Sequence, residues 1–260
     1  MENIANIAIV TGASSGIGRE LVKLIDQEYA SLDEIWVVAR REERLTELQN
    51  EVLVKLVPCG LDLMRVSSYD ELREKLDEHK PNVKLLANAA GYGKFGKIGQ
   101  LSLDDELGMV RLNCEALTAV TSIVLPYIQP GGRIIQIASS AGFAPQPNFG
   151  IYAATKAYVI SYSRALNEEL RDRHIIVTAA CPGPVETEFF DVAGESDRSS
   201  MIAGLPRTTP EQEARHVLAA SRNGKAISTK GPVASGFRFL AKALPVGALL
   251  LAMRYLNKMK

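Results

Sequence analysis

The stretch "IAIVTGASSGIGRE", residues 7–20, decides the fold. Ile7 to Val10 form an apolar run that reads as a buried strand. An amphipathic helix is predicted over Gly16 to Tyr29, with Ile17, Leu21, Leu24 and Ile25 on one side. Between them Gly12, Gly16 and Gly18 stand in a GxxxGxG spacing. At a strand-to-helix turn, positions without side chains let backbone N–H groups and a helix N-terminus approach a pyrophosphate. A tight turn alone would also use these glycines. Their place between strand and helix favours phosphate binding by Gly12, Ser14, Ser15, Gly16, Ile17 and Gly18.

The same alternation continues outward from this stretch. Further strands are predicted at "EIWVVA" (34–39), "LVKLVPC" (53–59), "VKLLAN" (83–88), "GRIIQIAS" (132–139), "IIVTAACP" (175–182) and "KAIST" (225–229). Helices are expected after Arg40, over Tyr69 to Asp77, over Leu103 to Tyr127, after Gly150 and from Pro210. Apolar strands interleaved with helices imply a parallel sheet covered on both faces, because each parallel connection needs a crossover. The expected fold class is a doubly wound, Rossmann-type α/β domain over residues 1–230, with a substrate loop at about 189–207 and a tail at 231–260. Ligands of such sheets bind beyond the carboxyl ends of the strands.

Of the 260 residues, 47% are hydrophobic and 23% charged, and 30 basic residues balance 30 acidic ones. No overall field favours nucleic acid. Cys59, Cys114 and Cys181 form no CxxC pair, and His79, His174 and His216 show no ligand spacing, so neither a structural metal nor a disulfide framework is expected. The start, "MENIANIAIV", has an acid where a secretory leader has bases, and the expected location is the cytoplasm. In the tail, an apolar run from Ala243 to Met253 is flanked by Arg238, Lys242, Arg254, Lys258 and Lys260, and it is too short to cross a bilayer. Three readings stay open for it: packing on its own or a neighbouring subunit, peripheral membrane contact through residues 237–260, or cover for the substrate site. In each, Pro245 and Gly247 are expected to interrupt a continuous helix.

The end of the second strand is where an acid would accept hydrogen bonds from an adenosine ribose. Here it carries Arg40 and Arg41, with Arg40 22 residues beyond Gly18. An arginine there can pair with a 2′-phosphate, with Ser14 and Arg41 assisting, so NADP(H) is favoured over NAD(H). The rival reading is that both arginines merely open a solvated helix.

TGASSGIG, Asp62, "NAAG" at 88–91, Asn113, Ser139, Tyr152 with Lys156, and "PGPVET" at 182–187 occur in that order. Together they resemble the short-chain dehydrogenase/reductase family. The resemblance implies hydride transfer between a nicotinamide and a carbonyl or alcohol carbon, with Tyr152 transferring the proton. A free phenol titrates near 10, so work near neutrality asks for a lowering of about three, roughly 4 kcal/mol. The resemblance assigns that to Lys156, which would also hold the nicotinamide ribose. It further implies that Ser139 bonds the substrate oxygen and that Asn113 holds a water leading from the lysine. Asp62, Asn88, Ala89 and Gly91 would support the cofactor, and Pro182, Gly183, Val185 and Thr187 would orient the carboxamide.

The Tyr-x-x-x-Lys spacing and the chain length resemble the compact oxidoreductases of this family, and "NAAGYGKFG" and "PGPVETEFF" look like its broad-specificity bacterial branch. Tyr92, Phe95, Phe143, Phe149, Phe189 and Phe190 are candidate substrate-pocket residues, or alternatively core. The family implies a homodimer or homotetramer. Two other functions remain open: a membrane-associated reductase of lipid-like or steroid carbonyls, and a non-catalytic NADP(H)-binding regulator.

Overall fold

Alternate residues of β1 (Asn6–Thr11) enter opposite faces of the sheet, following the two-residue period of a strand. Ile7 and Ile9 join a buried cluster with Trp36, Leu72, Val120 and Leu166. Ala8 and Val10 join another with Leu21, Ile25, Leu45 and Leu218. A strand buried on both sides must be apolar throughout, which is why "IAIV" runs uninterrupted.

The computed structural model describes residues 4–194 and 207–258. After β1 come α1 (Gly16–Glu28), β2 (Glu34–Val38), α2 (Glu42–Leu48), β3 (Lys55–Cys59), α3 (Ser67–His79) and β4 (Asn82–Asn88). A long helical run follows: α4 (Leu103–Val110), a π-helical segment (Arg111–Ala116), α5 (Leu117–Val124) and a last turn to Tyr127. Then come β5 (Ile128–Ile137), α6 (Gly150–Glu169), β6 (Ile176–Ala180), α7 (Phe189–Ala193), α8 (Pro210–Arg222), β7 (Ile227–Ser228), α9 (Gly231–Ala243) and α10 (Val246–Lys258). The expected substrate loop is α7 at its start, and residues 195–206 of it lie outside the described residues.

All seven strands pair in parallel, in the order β3-β2-β1-β4-β5-β6-β7. The order reverses between β1 and β4, whose last residues, Thr11 and Asn88, lie side by side. That is where a doubly wound sheet opens a crevice. The run Leu103–Tyr127 is apolar and long enough to cross a bilayer by length and composition, but Ala116, Val120 and Val124 are buried in the core on the sheet.

The tail differs from expectation in one respect. Pro245 does separate α9 from α10, but Gly247 lies inside the first turn of α10. The carbonyl of Pro245 accepts from the N–H of Ala248 (3.0 Å) and Leu249 (3.3 Å), so the proline starts α10 and the glycine, which keeps its N–H, continues it. Leu249 and Met253 then pack on Ala144, Phe237 and Ala241.

Glu213, in the first turn of α8, is fully buried, and neither carboxylate oxygen has a hydrogen-bond partner among the described residues. Burial pushes its pKa up to about 7, against a smaller pull downward from Lys230. A carboxyl raised in the folded state contributes stability below its unfolded pKa, and that contribution is lost as pH rises from 4.5 to about 7. Glu213→Gln should therefore stabilise the protein by roughly 1–3 kcal/mol at pH 8 and by much less at pH 4.5. Urea unfolding at the two pH values checks this.

Candidate functional site

The turn after β1 is built by backbone packed on backbone. Gly12 has φ +68°, and a Cβ there would lie 2.7 Å from the nitrogen of Ala90. A Cβ on Gly18 would fall on the carbonyl of Gly12. Gly16 has φ +56° and faces Thr187. Thr11 completes the joint, its Oγ1 accepting from the N–H groups of Ala89 (3.1 Å) and Ala90 (3.2 Å). No acidic residue stands in the first turn of α1 and no side chain caps its amides. Its dipole therefore opens unopposed onto a cleft of about 570 Å³.

Gly12, Ser14, Ser15, Gly16, Ile17, Gly18, Arg40, Arg41 and Asp62 line one end of that cleft. Both arginines precede α2, but they behave differently. Arg40 is exposed, whereas Arg41 donates to Ser14 Oγ and Ser15 Oγ, each at 3.2 Å, and pairs with Glu188 at 3.0 Å. Arg44 pairs with the same carboxylate at 2.6 Å, and Arg44 and then Arg41 hold it below the usual carboxylate range. The arginine that reaches the glycine turn is thus Arg41, not Arg40. Asp62 lines the cleft and also shapes the turn before α3, where its Oδ1 accepts from Met64 N at 3.1 Å. Asn88 does not line the cleft. Its amide donates to Thr121 Oγ1 at 3.0 Å, so the side chain ties β4 to α5.

Ala89, Gly91 and Tyr92 form the middle of the cleft, and Ser139, Tyr152, Lys156, Pro182, Gly183, Val185 and Thr187 its far end. Asn113 sits in the π-helical segment, fully buried. Its Nδ2 donates to the carbonyl of Tyr92 (2.9 Å) and to Thr155 Oγ1 (3.0 Å), and its Oδ1 accepts from Tyr92 N (3.0 Å). Tyr152 and Lys156 are one turn apart on α6 and both buried. Lys156 Nζ donates to the carbonyl of Ile137 at 2.8 Å and lies 5.6 Å from the centre of the Tyr152 ring. Ser139 Oγ accepts from Ala141 N at 3.1 Å, and Ser139 lines the cleft with Tyr152.

The electrostatics depart from the expected lowering of the phenol by Lys156. Burial pushes Tyr152 up to about 12, with a smaller opposing pull from Ser139. Burial draws Lys156 down to about 8, with Cys114 and Cys181 opposing. At both groups burial is the largest influence.

A family model for short chain dehydrogenase matches residues 6–197. The chain belongs to the short-chain dehydrogenase family. Sulfoacetaldehyde reductase 2 of Chromohalobacter salexigens is 33% identical to this chain over 215 residues, which is 80% of this chain and 84% of the relative. A short-chain dehydrogenase from Sphingobium yanoikuyae in complex with NADPH superposes with a TM-score of 0.76 at 25% identity, covering 92% of this chain and 96% of that one. A 4-hydroxyisoleucine dehydrogenase complexed with NADH shares the fold at 22% identity and a TM-score of 0.72, covering 85% and 95%.

In this short-chain dehydrogenase the aromatic side chains divide. Tyr92, Phe149, Phe189 and Phe190 line the cleft. Phe149 stacks on Tyr152 with ring centres 4.3 Å apart, and Phe189 stands 5.3 Å from the same ring. Phe95 stacks behind Phe149 at 4.1 Å. Phe143 is not in the cleft; it packs with Leu117 and Val159 and faces Phe237 of the tail at 6.4 Å, because the turn after Ser139 carries it to the opposite side. Gly93 lies among the rings, where a Cβ would meet Tyr152 at 2.7 Å, Phe189 at 2.9 Å and Phe149 at 3.1 Å. The sequence reading missed Arg44 and Glu188 at the arginine end, since a pair 144 residues apart has no local signal. Val192 lines the cleft from within the expected substrate loop, and Gln146 from the stretch between Phe143 and Phe149.

The backbone joint makes a prediction. Gly12→Ala should cost roughly 1–3 kcal/mol in urea unfolding, because the added carbon meets main chain that cannot move aside. Gly183→Ala, where a Cβ meets open space, should stay within about 0.5 kcal/mol of wild type.

Proposed function

We propose that this protein is an NADP(H)-dependent oxidoreductase interconverting a carbonyl and the corresponding alcohol, with Tyr152 as the general acid and base. The observation that carries the proposal is that Ser139, Tyr152 and Lys156 line the same cleft whose other end is the glycine turn. A nicotinamide dinucleotide, when bound, supplies or accepts the hydride. A phenol raised to about 12 is protonated at neutral pH and ready to donate to an oxygen gaining negative charge. Ser139 offers a second hydroxyl to that oxygen. Lys156, at about 8, stays largely cationic at neutral pH and stabilises the phenolate left behind.

The cofactor preference rests on Arg41, which reaches Ser14 and Ser15, and on the end of β2, which offers arginines where a ribose-binding acid would stand. The aromatic lining supports a substrate with an apolar substituent beside its carbonyl, and the reductase relative supports the aldehyde or ketone class. Exposed Leu107 and Val110 on α4 and Tyr158 on α6 support self-association through the two long helices.

Tyr152→Phe should lower turnover by roughly 10²–10⁴-fold with cofactor affinity little changed, and unchanged turnover would sink the assigned role. Arg41→Ala should weaken NADPH binding roughly ten-fold or more while leaving NADH within about two-fold, measured by fluorescence titration. If Arg40→Ala alone reproduces that loss, the weight given to Arg41 is misplaced.

A further inference from the structure

α9 and α10 are amphipathic, and their inner faces are already used. Ala234 on α9 and Leu249 and Met253 on α10 are buried, with Leu249 and Met253 seated on Ala144 of the turn that follows Ser139. The outer face is apolar as well: Phe239 is 71% exposed, Leu251 69% and Tyr255 67%, with Leu240, Leu244 and Val246 between them. Single apolar residues on a surface need no explanation, but six within two successive helices and the turn that joins them do.

The charge of this region chooses its partner. No Asp or Glu occurs after Glu213, and the last 47 residues hold nine lysines and arginines. The remaining 213 residues carry thirty acids against twenty-one bases, so a chain neutral overall is strongly polarised toward its tail. Arg238, Lys242 and Arg254 stand on the two helices themselves. A second copy of the same face would bring like charges together, which disfavours that pairing. A spanning segment is excluded by length, since the apolar stretch of α10 is Val246–Tyr255. Apolar side chains rimmed by bases and free of acids fit the interface of a bilayer with anionic headgroups.

We propose that α9 and α10 dock peripherally on an anionic lipid surface, Phe239, Leu251 and Tyr255 entering the headgroup boundary and Lys242 and Arg254 pairing with phosphate. Docking would hold the segment that follows Ser139 close to the bilayer. The proposal stands independently of the reaction, because its readout is partition and not turnover.

The test is flotation of the full-length protein with vesicles of phosphatidylcholine alone and of phosphatidylcholine mixed with phosphatidylglycerol. Binding to the mixed vesicles, its near loss on the neutral ones and its decline at high salt are expected. Lys242→Ala and Arg254→Ala should each lower the partition about five-fold. The double variant Phe239→Asp with Leu251→Asp should lower it at least ten-fold while the circular dichroism and cofactor binding stay as in wild type. Absence of vesicle binding, or equal binding to neutral and anionic vesicles, overturns the proposal. So does a wild-type oligomer that remains in solution and dissociates in the double variant, which would assign the face to a second copy.

Discussion

One carboxamide holds the two walls of the cleft together. Asn113 satisfies both backbone groups of Tyr92, just after β4, and with its remaining N–H it reaches Thr155, the neighbour of Lys156 on α6. Asn113 and Thr155 are buried, so leaving either side chain unpaired would cost about 1–3 kcal/mol. The side chain can reach all three because the helix widens there: Arg111–Ala116 is wound as a π segment within an otherwise regular run. Such a local widening is costly in isolation and persists where packing and hydrogen bonds around it require it. The position of the lysine, the path of the loop and the winding of the helix are therefore one arrangement.

The opposite end of the cleft depends on a different kind of contact. There, main chain meets main chain at Gly12, Gly18 and Ala90, and Thr11 closes the joint with two hydrogen bonds. Charge enters only at the rim, where Glu188 links the loop after β6 to Arg41 and Arg44. Surface ion pairs contribute little to stability. This one joins elements from distant parts of the chain around a single opening. Deep inside, burial governs the titration of Tyr152 and Lys156 more than their mutual charge does.

The strands and helices were legible because their apolar periods differ, and the glycine spacing located the crevice before any coordinates. Tyr152, Lys156 and Ser139 were legible as a set. Features built by tertiary contact were not. Nothing in "RLNCEA" announces a π segment, since its residues would also suit an ordinary helix. Asn88 and Phe143 sit in motifs that suggest the cleft, yet each turns toward a helix, because a strand end or a tight turn can aim its side chain to either side. The sequence distance to Gly18 pointed to Arg40 with Arg41 assisting, whereas the arginine that hydrogen-bonds Ser14 and Ser15 is Arg41.

Gly93 bears on how such a cleft can acquire new substrates. Its α-carbon is ringed by Tyr152, Phe149 and Phe189, so any side chain placed there would push against the Tyr152 ring itself. Diversification is thereby displaced from the floor of the site to its rim. Gln146 and Val192 line the same cleft outside that stacked group of rings, so a library aimed at altered selectivity has its freedom in their side chains.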